Sequence, residues 1–203
     1  MIRRSEKSEK GKQQELPLTV VFVRHGHADQ QNISGGLGPT LSSLGRRQAM
    51  LVARRLINKS FDHIYSSDMP RAYCTAQAIL GFHKDTPFTA ASNIREVMHY
   101  HFTPGPTPRN RVINESIKIE RTRIKKFAVQ LRHAHKPGEK VLVVCHGNII
   151  RSLISILGSR DPKRSIPINI NNTAVTILEV WPSGEAVLQL ANCVKHLLPS
   201  QVT

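Results

Sequence analysis

Cysteine is scarce in this 203-residue chain: Cys74, Cys145 and Cys193 are the whole complement, odd in number and widely spaced. No Cys-x-x-Cys pair occurs, so neither a zinc cage nor a disulfide framework is indicated, and three reduced thiols in a cytoplasmic protein are expected. Long hydrophobic runs are missing too. No apolar stretch approaches the ~20 residues that cross a bilayer, which predicts no membrane span. The opening Met1-Ile2-Arg3-Arg4-Ser5-Glu6-Lys7 runs into no apolar segment, so a secretory leader is not expected, and its acidic residues argue against a transit peptide. Aromatic residues make up 5% of the chain, too few to suggest a stacking platform for single-stranded nucleic acid. Acidic residues are in deficit, with 14 Asp and Glu against 29 Lys and Arg, a formal net charge of +15. What the chain does have is 39% hydrophobic residues, which excludes a disordered chain. Its length suits one α/β domain whose core buries roughly 70% of the unfolded surface.

Residues 1–15 hold five basic and three acidic residues and read as a flexible polar tail ahead of a domain over 16–203. The excess charge therefore belongs to the folded part. Leu18-Thr19-Val20-Val21-Phe22-Val23 is short, β-branched and apolar, as a strand buried on both faces should be. After Arg24-His25-Gly26-His27 comes a glycine-rich loop (Gly35, Gly36, Gly38, Pro39), then a helix from Ser42 or Ser43 to Ile57. A second strand is expected over 61–66, and a helix from Pro70, stopped by Gly81. The proline-rich stretch 102–108 reads as a loop or lid, and a long amphipathic helix with Ile113, Ile117, Ile124, Phe127 and Leu131 on one stripe ends at Pro137-Gly138. Val141 to Cys145 repeats the buried apolar strand and runs into His146-Gly147, with a helix from Asn148 to Leu157. Residues 174–180 and 186–190 flank Pro182-Ser183-Gly184 as a hairpin. The alternation predicts an α/β fold, a three-layer α/β/α sandwich with a mainly parallel central sheet, helices on both faces and a C-terminal hairpin.

Two buried strands thus each deliver a histidine followed by glycine at the carboxyl end, where open α/β sheets place their ligand sites. Gly26 and Gly147 permit close backbone approach, and the helix that starts at Asn148 points free N–H groups at an anion. In this setting Arg24-His25-Gly26, Leu41-Ser42-Ser43-Leu44-Gly45-Arg46-Arg47-Gln48-Ala49, Tyr65-Ser66-Ser67-Asp68-Met69-Pro70-Arg71-Ala72, Ile94-Arg95-Glu96 and Val143-Val144-Cys145-His146-Gly147 occur in one order. Together they resemble the histidine phosphatase superfamily of phosphoglycerate-mutase-like enzymes over nearly all of residues 18–190.

The resemblance implies His25 as nucleophile, Arg24, Arg71 and His146 as ligands of the phosphoryl oxygens, and Glu96 as proton donor. Phosphoryl transfer spreads charge over three oxygens, so forked cationic donors suit it, and they also disfavour protonation of His25. After Glu96 the family usually continues with a glycine-containing acidic turn, whereas Val97-Met98-His99-Tyr100-His101 follows here, so the acid is either Glu96 or a group elsewhere. His27 and Asn32 are expected to line the pocket. Cys145 is expected to be core packing. The pairs His25/His27, His99/His101 and His133/His135 have no Asp, Glu or Cys cluster beside them, so no metal and no cofactor is expected.

Glu96 and His146 are 50 positions apart, too close for the long insertion with which the family's mutases cover a small substrate, and this favours a phosphatase. His146-Gly147-Asn148-Ile149-Ile150-Arg151 and Ile170-Asn171-Asn172-Thr173-Ala174-Val175-Thr176 look most like the mutase-like protein Ser/Thr phosphatases. Residues 104–140 hold ten Lys and Arg against three Asp and Glu, a net +7. That is either a solvated helix face or a surface that steers an acidic substrate. The expected partner is a phosphorylated small molecule or phosphoprotein, with nucleic acid not favoured and a dimer compatible with the sequence. Mutase-type phosphotransfer and a basic nucleic-acid-binding module without catalysis are the alternatives.

Overall fold

Burial on both faces of the first apolar run explains why it becomes a central strand. In the computed structural model, which describes residues 15–33, 36–97, 108–158 and 168–203 (the side chains of 32–33 and 108–114 excepted), β1 spans Leu18–Arg24. Its Val20 and Phe22 enter one core cluster and Val21 and Val23 the other. The chain continues through β2 (Ala28–Ile33), β3 (Pro39–Leu41), α1 (Ser43–Leu56), β4 (His63–Ser67), α2 (Pro70–Leu80) and β5 (Phe88–Ala91). It then forms α3 (Pro108–Ala134), β6 (Lys140–Cys145), α4 (Gly147–Leu157), β7 (Val175–Val180) and β8 (Ala186–Cys193).

The main sheet has six strands in the order β5-β4-β6-β1-β7-β8. The β5-β4, β4-β6 and β6-β1 pairs are parallel, while β7 runs antiparallel to β1 and β8 antiparallel to β7 as the hairpin. One face is covered by α3 and α4 through Ile124, Phe127, Leu131, Ile150, Leu153 and Leu157. The other is covered by α1 and α2 through Val52, Ala53, Leu56, Ala76 and Ile79. The three-layer α/β/α architecture is the one expected. Apolar alternation in β6 follows the same logic as in β1, with Val141 and Val143 facing one layer and Leu142 and Val144 the other.

Helix ends follow local chemistry. Ser42 Oγ caps α1 by accepting the Gly45 N–H at 3.0 Å, Pro70 opens α2, and Gly81 closes it. The helix α4 begins at Gly147, one residue earlier than read from the sequence, because His146 is the extended residue that precedes its first turn. Two further departures are structural. The stretch after His27 is not only a loop: β2 and β3 pair as a separate antiparallel ribbon. The sheet also gains β5 as an edge strand. Of the expected tail over 1–15, residues 1–14 lie outside the described residues, as do 102–107 of the expected loop or lid over 102–108, whose Pro108 instead opens α3.

The helices α1 and α4, which follow the neighbouring parallel strands β1 and β6, pack on opposite faces of the sheet. Such a divergence leaves a crevice beyond the carboxyl ends of the two strands. Arg24-His25 and His146 stand at that crevice.

Candidate active site

His25 is 5% exposed and its ring is bonded at both nitrogens. Nδ1 lies 2.7 Å from the Gly26 carbonyl oxygen, which can only accept, so Nδ1 carries the hydrogen. Arg71 Nε–H donates to Nε2 at 3.1 Å, so Nε2 presents a lone pair. Burial, reinforced by the Arg71 and Arg24 guanidiniums, pushes the His25 imidazolium down to about 3, and the ring is neutral at ordinary pH. His146 packs edge-on against it with ring centroids 5.0 Å apart. Burial above all, and then His25, Arg71 and Arg24, hold His146 well below its ordinary value. Its Nε2 is 3.0 Å from Ser67 Oγ, while its Nδ1 is buried with no partner among the described residues, as is Nε of Arg24. A neutral lone pair beside two guanidiniums, with two buried nitrogens unsatisfied, is an anion-binding arrangement.

Three adjacent parallel strands supply these groups. The β1 strand ends at Arg24 with His25 directly after it, His146 directly follows β6, and β4 ends in Ser66-Ser67 with Arg71 in the first turn of α2. Thr75 joins two of them: its Oγ accepts the Gly26 N–H at 3.0 Å and donates to the Arg71 carbonyl at 2.7 Å. Gly26 is required by space, since a Cβ there would sit 2.6 Å from the Gly45 carbonyl oxygen, and a Cβ on Gly45 would overlap the His27 carbonyl. Gly147 differs from the sequence reading. Its missing Cβ would make only ordinary contacts of 3.6 Å or more, so close approach does not require glycine there. In the loop after β2, Gly38 has φ +91° and would bring a Cβ to 3.1 Å from Arg71 Nη1.

Glu96 reaches the same place from the segment after β5. It is half-buried, its Oε1 accepts the Val97 N–H at 3.0 Å, and the Asn148 N–H at the start of α4 also favours the carboxylate form. Burial raises its carboxyl above the ordinary value, although Arg71 and Arg24 pull the other way. The segment is clamped by Arg123 of α3, whose Nη1 and Nη2 donate to the carbonyls of Asn93 and Glu96 at 2.9 and 3.1 Å. Asp68 and Arg95 form a forked pair beside it at 2.7 and 2.5 Å.

His27 is half-buried, close enough to His25 to act on it electrostatically, and its Nδ1 bonds Ser42 Oγ at 2.9 Å. The backbone of Asn32 lies in β2, and its side chain is outside the described residues. Cys145 is fully buried in the core, and burial pushes its thiol up. Among the described residues no three His, Cys, Asp or Glu side chains converge as metal ligands. His99 and His101 lie outside them. Of the basic stretch 104–140, Lys118, Lys125, Lys126 and Arg132 are exposed on α3, while Arg123 turns inward.

Sequence reasoning assigned no part to a second set of groups. Asn172 Nδ2 donates to the His25 carbonyl at 2.8 Å, and Asn172 Oδ1 accepts from Thr203 Oγ1 at 3.1 Å. Gln48 bonds Thr203 Oγ1 and the Gln201 carbonyl, and its Oε1 accepts the His27 N–H at 2.7 Å. Thr173 donates its N–H to the Arg24 carbonyl at 3.0 Å from a backbone with φ +56°, which β-branched residues avoid. The Asn-Asn-Thr wording was visible, but not that it braces the nucleophile's backbone.

The family model of the histidine phosphatase superfamily (branch 1) matches residues 20–112 and 98–193. Phosphoglycerate mutase-like protein 4 of Arabidopsis thaliana is 30% identical over 202 residues, with 88% of this chain and 86% of that protein covered. Serine/threonine-protein phosphatase Pgam5, mitochondrial, of Caenorhabditis briggsae is 29% identical over 194 residues, covering 91% of this chain. The chain spans about two thirds (66%) of the length of that relative. Among solved structures, phosphoserine phosphatase of Entamoeba histolytica in complex with 3-phosphoglyceric acid shares 25% identity at a TM-score of 0.64, covering 89% of this chain and 100% of that one. The putative α-ribazole-5'-P phosphatase of Escherichia coli, at 18% identity and a TM-score of 0.70 over 87% of this chain and 97% of that one, shares the fold.

Proposed function

Because the chain belongs to the histidine phosphatase superfamily (branch 1), we propose that it is a metal-independent phosphomonoesterase working through a phosphohistidine at His25. The observation that carries this reading is the state of His25, a buried neutral ring with its hydrogen committed at Nδ1 and its lone pair at Nε2.

In the resting site Arg71 Nε–H occupies that lone pair. An entering phosphoryl group takes over the guanidinium as a ligand of its oxygens and so frees Nε2 to attack. The N–P bond forms as the P–O bond to the leaving group breaks, with Arg24, Arg71 and His146 holding the three equatorial oxygens. Positive charge that develops on the imidazole is met at Nδ1–H by the Gly26 carbonyl, a bond that strengthens toward the transition state. The leaving alkoxide takes a proton from Glu96, whose raised carboxyl is suited to hold one. In the second half-reaction Glu96, now ionised, takes a proton from water as its oxygen attacks phosphorus. The N–P bond breaks, and neutral His25 and inorganic phosphate remain. Every proton and bond is accounted for within these groups.

The short interval between Glu96 and His146 favours hydrolysis over mutase-type transfer. Relatives named as a Ser/Thr-protein phosphatase and as phosphoserine phosphatases support a phosphorylated serine, free or in a protein, as substrate. Exposed lysines on α3 support an acidic one. All three cysteines are free thiols, which supports a reducing compartment such as the cytoplasm. The test is turnover of an aryl phosphate by chelator-treated protein beside a His25→Ala variant. Turnover by the parent that falls at least roughly a thousandfold in His25→Ala is expected. An inactive parent, or an unaffected variant, contradicts the reading.

A further inference from the structure

We propose that Ser67 is a positioning residue that fixes the tautomer of His146, so that Nδ1–H of that ring is a hydrogen-bond donor to the phosphoryl group. The inference rests on the phosphatase reading for its functional consequence, but the tautomer itself is a property of the free protein.

A serine hydroxyl has one hydrogen and two lone pairs. Ser67 Oγ already accepts the Met69 N–H at 3.3 Å at the start of α2, and it stands 3.0 Å from His146 Nε2. Both side chains are fully buried, at 0% exposure, so neither can borrow a partner from bulk water. Donation from Ser67 to Nε2 uses the serine hydrogen, fills the His146 lone pair and leaves the ring hydrogen on Nδ1. The opposite tautomer gives Ser67 Oγ two incoming donors and leaves its own hydrogen buried without His146 as acceptor. It also places a lone pair on Nδ1, the buried atom that has no partner among the described residues. In a ring packed 5.0 Å from the nucleophile and surrounded by Arg71 and Arg24, a lone pair would repel phosphoryl oxygens, whereas an N–H completes their donor set. Ser67 ends β4 and Arg71 lies in the first turn of α2, so one strand end would set the hydrogen on one phosphate ligand and carry another.

Nitrogen-15 NMR of histidine-labelled full-length protein tests this without any variant. The expected spectrum at neutral pH assigns the hydrogen of His146 to Nδ1 and a hydrogen-bonded lone pair to Nε2. A hydrogen on Nε2 overturns the proposal. In Ser67→Ala the signals should move toward the Nε2–H tautomer. At the same time kcat/KM for an aryl phosphate should fall about tenfold to hundredfold, with inhibition by inorganic phosphate weakened as well. Ser67→Thr, which keeps the hydroxyl, should restore the parent tautomer and recover most of the activity. An Ala variant that keeps both the parent tautomer and parent kcat/KM overturns the assignment. If the parent is inactive on aryl phosphates, the phosphatase reading fails, while the tautomer is still decided by the parent spectrum.

Discussion

Protonation at single residues sets the expected pH behaviour. Burial holds His25 at about 3, so its protonation does not limit activity anywhere near neutrality. Glu96 is displaced the other way, and the first half-reaction needs its acid form. Activity should therefore decline as pH rises through that raised value. In Glu96→Gln this alkaline limb should vanish, and turnover of an alkyl phosphate should drop roughly 10²- to 10⁴-fold. An aryl phosphate, whose leaving group needs little protonation, should be affected far less. The same shift has a sign for stability. A carboxyl whose folded value lies above its unfolded one contributes stability below the unfolded value and loses it as pH rises through the folded one. Above that folded value the ionised Glu96 is thus a cost, and there Glu96→Gln should melt higher than the parent while being the poorer catalyst. A lower melting temperature for that variant on the alkaline side of the limb, or an unchanged alkaline limb, would contradict this account of Glu96.

Whole elements show what was legible in the sequence. The strands β1 and β6 could be read because both of their faces are buried, which leaves an unbroken apolar run. The edge strand β5, Phe88-Thr89-Ala90-Ala91, has one large apolar side chain and two exposed central residues, so it carries no such signal. The β2 strand is mostly polar and pairs only with the three-residue β3. Of the site, His25, Arg24, Arg71, His146 and Glu96 were legible because their local motifs travel with strand ends. The bracing groups were not, because their bonds join distant positions and often end on backbone. Asn172 and His25 are the sharpest example, a side chain and a carbonyl 147 positions apart. The turn at Thr173 shows what this bracing does. Its positive φ costs on the order of 1–3 kcal/mol and persists because buried bonds to the Arg24 carbonyl, the Asn172 carbonyl and His196 hold it. Asn172→Ala leaves the His25 carbonyl and Thr203 without that partner. It should lower stability by about 1–3 kcal/mol in denaturant titration and lower kcat more than KM is raised. Unchanged stability and kcat would mean that the turn does not support the nucleophile.

Over the molecule as a whole, the charge of +15 divides into parts with different roles. Arg24 and Arg71 are turned into the crevice, and Arg123 and Arg95 hold the segment that carries Glu96. Lys118, Lys125, Lys126 and Arg132 remain on the outer surface of α3, where sign matching favours acidic substrates. The ends of three adjacent parallel strands and the first turn of α2 bring Arg24, Arg71 and His146 around one neutral imidazole, and the central claim is that His25 takes the phosphoryl group. Rapid acid or denaturant quench during turnover of a phosphorus-32-labelled phosphomonoester measures this directly. The account predicts a labelled protein adduct that is acid-labile and alkali-stable, maps to the peptide containing His25, and is lost in His25→Ala. An acid-stable phosphoserine, or an active enzyme that never carries label under conditions where the second half-reaction is slowed, would contradict it.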